Sequence, residues 1–392
     1  MKIGINASFT RKPYTGIAQY TFQLLEAMFS LPQAREHQFF LYFEDEKSAP
    51  SITNHKPARV TNIIERIVKT PFYKRDDLVR KTAWEKINLP AAAKKDSLHV
   101  FFTPYNSATS FPMIKHVITL HDVIWKVYEK DYLNNFRKNI YSRQTFDAIK
   151  KAAHLITVSE YSKKEIIKYL NIDPSFITVI KNGAADCFYP VSDQRKIQTK
   201  LEQLNINSPY LFYIGGFEKR KNLDFLLKAF KKMTENYANV LGSRKLVIAG
   251  EIWPNKDPLV TDVQAVVGDL GLKDKVILTG AVSNNDLVTL YNGADLFVFP
   301  SLYEGFGLPV LEAMACGCPV LASNRTAIPE IGQDAIEYFN PDREDELIQQ
   351  LNRLLSDPVI TAELSQKGRI RAKSFSWPRA AKKTLEILTS QQ

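Results

Sequence analysis

An α/β fold of two domains, each built around a largely parallel sheet, is predicted by three observations. At 392 residues the chain exceeds what one hydrophobic core usually organises. Short β-rich runs recur along it with amphipathic stretches between them, the pattern of βα units around largely parallel sheets. The series is interrupted once, between Asn182 and Pro209, where Gly183, Pro190 and Pro209 punctuate a stretch without strand pattern.

In chain order, the first series of predicted strands is Lys2–Ala7, Gln38–Phe43, Ala58–Ile64, Leu98–Thr103, His116–Leu120, Leu155–Val158 and Ile177–Ile180. The second is Tyr210–Ile214, Lys245–Ala249, Lys275–Thr279, Leu296–Phe299 and Pro319–Ala322. The domains are drawn at 1–190 and 191–372, with 373–392 as a terminal helix. In open α/β sheets ligands bind beyond the carboxyl ends of strands. Gly16, His121, Gly215 and Glu304 each follow a predicted strand.

Hydrophobic residues make up 45% and charged residues 24%, ordinary for a globular chain. No segment is long and apolar enough to span a bilayer, and the start MKIGINASF lacks the parts of a signal peptide, so a cytoplasmic location is expected. Cys187, Cys316 and Cys318 form neither a disulfide framework nor a zinc set; the last two read as small residues packed at a helix end. The net charge of +10 is unevenly spread: residues 1–190 hold 28 Lys and Arg against 18 Asp and Glu, and residues 191–392 hold 24 of each. A basic first half implies an anionic partner there, with phospholipid, phosphate-bearing lipid and nucleic acid as candidates.

Four segments carry chemistry. After Leu296–Phe299, the turn Pro300–Gly307 supplies Glu304, Gly305 and Gly307 before a helix starting near Pro309. Backbone N–H groups at such a helix start suit a phosphate, and Glu304 and Glu312, the latter expected on the first turn, suit sugar or ribose hydroxyls. The segment YLFYIGGFEKRKN, Tyr210–Asn222, runs a strand into Gly215–Gly216 and then Lys219, Arg220 and Lys221, which reads as a phosphate-binding turn or as a solvated basic one. His121 and Asp122 form a His–Asp pair at a strand end, whereas His37, His55, His99, His116 and His154 take the structural default. The loop Ser8–Gln19 meets an amphipathic helix at Thr15–Gly16, with Thr15 a candidate cap.

The run EGFGLPVLEAMACGCPVLAS resembles the Glu-x7-Glu motif of retaining glycosyltransferases of family 4, which have the GT-B fold. The resemblance covers nearly the whole chain, through VSEYSKKEI, VIKNGAADCFYP and FSWPRAAKKTLEIL, and is thinnest from Thr53 to Asp96. It implies two Rossmann-like domains with parallel sheets facing a central cleft, an acceptor-binding first domain, a donor-binding second domain, and a C-terminal helix that returns to the first. On the matching positions, Glu304 would hold the donor sugar and Glu312 the ribose. The N–H groups of Phe306, Gly307 and Leu308 would hold sugar and diphosphate, and Gly16 would let its helix start approach the diphosphate from the opposite side. Lys221, in the loop after Gly215, would neutralise the departing diphosphate, and His121 would lie near the reaction centre. Many members carry an arginine directly after the strand glycine; this chain has Gly216 and Phe217 there, and Arg220 is assigned the missing charge.

The resemblance implies retention of configuration, the acceptor attacking on the face the phosphate leaves. No Asp-x-Asp triplet occurs, so metal-independent transfer without a cofactor is expected. The opening segment and HDVIW look like mannosyl- and rhamnosyl-transferring members that build bacterial surface polysaccharides. GDP-mannose is the first donor expectation, with UDP- or dTDP-sugars as alternatives and a glycan or lipid-linked saccharide as acceptor. A nonhydrolysing UDP-sugar epimerase of the same fold is the rival enzyme reading, and a degenerate partner subunit is disfavoured by the intact Glu304, Glu312, His121 and Lys221. A nucleic-acid-binding protein is set aside for want of a motif, so no nucleic-acid partner is expected. Between Lys56 and Lys95, 11 basic and 4 acidic residues are interleaved with Ile63, Ile64, Ile67, Phe72, Trp84 and Ile87, a mixture suited to an anionic membrane surface.

Overall fold

The structure, a computed structural model, describes residues 1–11, 15–45, 62–70, 77–133, 136–251 and 259–391. Two compact units divide the chain. Met1–Asn182 with Ser376–Gln392 forms the first, and Gly183–Phe375 the second.

In the first unit seven parallel strands are ordered β3-β2-β1-β4-β5-β6-β7. They are β1 Lys2–Asn6, β2 Gln38–Phe43, β3 Ile63–Ile67, β4 Val100–Thr103, β5 Lys115–Thr119, β6 His154–Thr157 and β7 Ile177–Val179. The strand expected at Ala58–Ile64 begins outside the described residues, and the observed β3 lies further along. It is an edge strand carrying Glu65 and Arg66, which hides it from an apolar-run reading. β1 is central, with Ile3 opposite both Phe39 and Val100. Strands buried on both faces read as continuous apolar runs, and β2, QFFLYF, is buried over five of its six residues. Helix α1, Gly16–Ser30, follows β1 and buries Leu24, Leu25 and Met28.

The second unit has six parallel strands ordered β10-β9-β8-β11-β12-β13. These are β8 Tyr210–Ile214, β9 Lys245–Ala249, β10 Val276–Gly280, β11 Leu296–Phe299, β12 Val320–Ser323 and β13 Glu337–Phe339. The sequence pattern had no signal for β13, three residues long and opened by a glutamate. Phe212 of β8 faces Val247 of β9 and Phe297 of β11. Helices α2 Leu223–Asn236, α3 Asn284–Gly293 and α4 Leu308–Cys316 pack along it, and Leu226, Phe230, Ile248 and Val298 meet in its core. Cys316 and Cys318 are buried at the end of α4 as free thiols.

Helix α5, Trp377–Thr389, belongs to the first unit and packs on α1, burying Trp377, Ala381, Leu385 and Leu388. The unit boundaries differ from 190/191 and 372/373 for identifiable reasons. Asn292 of α3 accepts from the Val191 N–H and donates to the Tyr189 carbonyl, which fastens residues 183–191 to the second unit. Phe375 packs on Phe306 of that same unit.

No helix among the described residues is long and apolar enough to cross a membrane. The basic segment before Lys95 is corrected in part. Trp84 is 1% exposed, donates its indole N–H to the Val68 carbonyl at 2.7 Å, and shares a cluster with Phe40, Tyr42, Leu89 and the half-buried Ile64. These side chains serve the core because the indole N–H finds its partner there. Ile67 and Ile87 remain exposed, and Phe72 lies outside the described residues.

Candidate active site

In a sheet ordered β9-β8-β11, the connections leaving β8 and β11 run to opposite sides, which makes the carboxyl ends of these two strands the switch point where open α/β sheets bind ligands. The two second-unit motifs are the loops at this switch point. After β8 the chain passes Gly215–Gly216, makes a single helical turn at Lys219–Lys221, and enters α2 through Asn222 at a left-handed φ of 60°. Phe217 turns into the core, and cross-strand bonds from Lys219 N–H to Leu259 and from Thr261 N–H to Phe217 fix the loop. A side chain right after the glycine pair therefore serves packing, and the cations come from the turn behind it.

The turn and the loop after β11 are bonded to each other. Leu302 N–H donates to the Arg220 carbonyl at 2.7 Å, and the Arg220 guanidinium donates to the Tyr303 carbonyl at 3.2 Å. Glu304 stands at the meeting point. Its Oε1 accepts from Lys221 Nζ and from Ser301 Oγ, both at 2.6 Å, with the Arg220 guanidinium at 3.6 Å. The Glu304 N–H donates to Thr326 Oγ1 at 3.1 Å. Lys221 is 9% exposed and also lies over the Phe299 ring. Burial, aided by Arg220, lowers the lysine's proton affinity while Glu304 opposes the shift. Burial pushes the Glu304 carboxyl upward, but Lys221, Arg220 and the two short hydrogen bonds together hold it below the usual carboxylate range. The pair is ionised and self-compensated.

Gly307 caps α4 at φ 107°, a conformation that favours glycine, and makes no side-chain capping hydrogen bond. Phe306 is buried beside it, and Leu308 is the first helical residue. Glu312 departs from expectation: α4 begins at Leu308, so this glutamate falls in the second turn. It accepts from the Tyr291 hydroxyl at 3.1 Å, apart from the Lys221–Arg220–Glu304 cluster. Burial pushes its carboxyl up to about 7, with the tyrosine bond opposing. A buried carboxylate with one donor is the kind of group that two vicinal hydroxyls complete.

In the first unit the switch point lies between β1 and β4. Asn6 donates to the Tyr105 hydroxyl at 2.9 Å and Ser8 bonds the same hydroxyl, tying the loops after both strands. Thr15 caps α1 by accepting from Ala18 N–H. Gly16 is exposed, and a Cβ there would meet nothing within 4 Å; Lys12–Tyr14 of this loop lie outside the described residues. His121 follows β5 and donates from Nε2 to the Pro104 carbonyl at 2.9 Å, with the Tyr20 ring edge-on at 4.5 Å. Burial lowers its proton affinity, with Pro104 and Asp122 opposing, so the neutral ring carries its proton on Nε2 and presents Nδ1 as an acceptor. The His–Asp pair is not a hydrogen-bonded pair: Asp122 accepts from the Ile124 N–H and starts a short helical turn. Of the other histidines, His116 is buried against Thr103, His154 bonds Thr178, His99 accepts from Lys2 and His37 meets the amino terminus; His55 lies outside the described residues.

The sequence-derived residues thus fall into two sets, His121 and Gly16 in the first unit and Gly215, Arg220, Lys221, Glu304, Phe306, Gly307, Leu308 and Glu312 in the second. Sequence reasoning passed over Ser301, three residues before Glu304 within the same run, as well as Thr326 and Tyr291, which reach the glutamates only through the fold.

Comparison with known proteins agrees with this division. The family described as Glycosyl transferases group 1 matches residues 194–373, and Glycosyltransferase Family 4 matches residues 14–185. O-antigen chain mannosyltransferase B of Escherichia coli is 26% identical over 98% of this chain and 98% of its own length. The serotype-specific mannosyltransferase WbdA of Escherichia coli is 28% identical over 70% of this chain, which spans 33% of that longer protein. Among solved structures, HepE of Anabaena in complex with UDP and glucose superposes with a TM-score of 0.76 at 18% identity, covering 100% of both chains.

Proposed function

The chain belongs to glycosyltransferase family 4 and has its GT-B fold, and from that premise we propose that it moves a hexose, mannose from GDP-mannose in the first instance, onto a glycan or lipid-linked saccharide. The reaction proceeds with retention and without a metal, in the synthesis of a cell-surface polysaccharide such as an O-antigen or exopolysaccharide, at the cytoplasmic side. The mannosyltransferase relatives support the sugar, and the nucleotide-bound HepE structure supports a nucleotide-sugar donor.

The observation that carries the reading is the shared grip of Lys221 and Arg220 on Glu304. The two cations neutralise the carboxylate. An incoming diphosphate offers them two or more anionic oxygens, so the cations pass from carboxylate to phosphate and Glu304 is released to accept from a sugar hydroxyl. As the bond between anomeric carbon and diphosphate breaks, negative charge grows on the phosphate oxygens, where Lys221, Arg220 and the N–H groups at the start of α4 stabilise it. The acceptor hydroxyl attacks on the same face and its proton passes to the leaving phosphate. His121, neutral and presenting Nδ1, orients a sugar hydroxyl by accepting its proton in a hydrogen bond. The excess positive charge of residues 1–190 suits an anionic membrane or a phosphate-bearing lipid acceptor.

A thermal-shift screen with GDP, UDP, dTDP and ADP sugars tests the donor, because a ligand bound only by the folded state raises the melting temperature. GDP-mannose is expected to give the largest rise; a larger rise with a UDP-sugar overturns the assignment. The one-bond C1–H1 coupling of the product reports its configuration, EDTA is expected to leave turnover unchanged, and flotation with anionic vesicles tests membrane contact.

A further inference from the structure

The segment Phe375-Ser376-Trp377 crosses from the second unit to the first and carries an aromatic anchor in each. In the second unit the Phe375 ring meets Phe306 edge-on at 5.9 Å, in the loop between Glu304 and Gly307. The guanidinium of Arg371 lies over the Phe375 ring at 4.7 Å and is itself fixed by donation to the carbonyls of Glu330 and Ile331. In the first unit Trp377 opens α5, is 5% exposed, and packs against Tyr20 at 5.7 Å. Tyr20 is buried, bonds Thr119 Oγ1 at 3.1 Å, and presents its ring to His121.

Two contacts hold the His121 imidazole, the Pro104 carbonyl at Nε2 and the Tyr20 ring, perpendicular to it at 4.5 Å. The hydrogen bond sets the tautomer, the Tyr20 ring limits rotation of the imidazole, and Tyr20 is itself held by Thr119 at its hydroxyl and by the Trp377 ring. The Trp377 indole N–H has no hydrogen-bond partner among the described residues, so the tryptophan acts here through ring packing alone.

We propose that Trp377 and Phe375 are positioning residues for the transfer reaction: Trp377, through Tyr20, sets the orientation of His121, and Phe375, through Phe306, sets the loop that carries Glu304. The proposal rests on the transferase reading for its kinetic consequence and on geometry alone for its structural one.

The test uses the full chain with histidine labelled in its ring nitrogens. Trp377→Leu is expected to lower kcat at least tenfold with donor KM within about threefold, and to shift the His121 nitrogen resonances, assigned by their loss in His121→Gln. Trp377→Phe is expected to restore most of kcat and the His121 signals. Phe375→Leu is expected to raise donor KM severalfold while leaving the His121 signals in place. If Trp377→Leu leaves the His121 resonances unmoved, or Trp377→Phe is as impaired as Trp377→Leu while melting as the parent does, the positioning role is overturned. The ring-nitrogen signals need no turnover. A chain without transferase activity whose His121 signals respond to Trp377→Leu therefore retains the geometric claim while losing the functional reading.

Discussion

Lys221 and Glu304 form a buried contact that ties folding to the proposed chemistry. Their side chains are 11% and 12% exposed, so removing one partner strands the other charge away from water. Lys221→Met is expected to abolish turnover and to destabilise the second unit by roughly 3–5 kcal/mol, the range for breaking a buried pair. Adding Glu304→Gln to it is expected to recover most of the stability and none of the activity. Urea unfolding alongside turnover checks this, and a double variant no more stable than the single one contradicts it. Glu312 poses a different balance. Its folded-state value of about 7 lies above the ordinary carboxylate value, so its contribution to stability is full at low pH and lost as pH rises through about 7. Glu312→Gln is accordingly expected to raise the melting temperature more at pH 8 than at pH 5. With Glu312 proposed to accept from the ribose hydroxyls as a carboxylate, nucleotide affinity is expected to fall as pH drops below about 7, and the variant is expected to lose both affinity and its pH dependence, as titration calorimetry would register.

Elements were legible in the sequence where burial leaves a clean pattern and opaque where it does not. β2, β8, β9 and β11 coincide with their predicted ranges because each is an apolar run closed by polar or turn residues. β3 and β13 sit at sheet edges, where half-exposed positions admit Glu65, Arg66 and Glu337. The same distinction governs the site. Glu304 was visible because a strand, a glycine turn and a helix start follow in order; Thr326 was not, because it arrives from the connection after β12. Sheet order, which no local pattern encodes, joins Lys221 to Glu304 by placing β8 beside β11. Two glycines at helix starts separate backbone need from ligand need. Gly307→Ala must hold φ 107° with a side chain that meets Ile328 at 3.3 Å, and is expected to cost roughly 1–3 kcal/mol. Gly16→Ala meets open space, so its melting temperature is expected to stay level while donor turnover drops; an active Gly16→Ala removes this glycine from the donor site.

At the scale of the molecule, the first unit is assembled from two separated stretches of sequence. Leu385 and Leu388 of α5 each contribute roughly 1.5–3 kcal/mol by burial, and Trp377 adds to them, so the helix supplies an amount comparable to a domain's whole margin of roughly 5–15 kcal/mol. A chain ending at Phe375 is expected to lose the calorimetric transition of the first unit and keep that of the second, which added nucleotide identifies by raising it. Retention of both transitions would show α5 to be dispensable. The interleaving of the units also sets an order of events during synthesis. At a ribosomal rate of about 5–20 residues per second, roughly 10–40 seconds separate the appearance of Asn182 from that of Ser376. Throughout that interval the nascent first unit has its sheet but no cover for the α5-facing side of α1, while the later-made second unit has every one of its strands before that cover arrives. The half of the chain translated first is the half completed last, and it is the nascent first unit that offers a chaperone an apolar surface to hold.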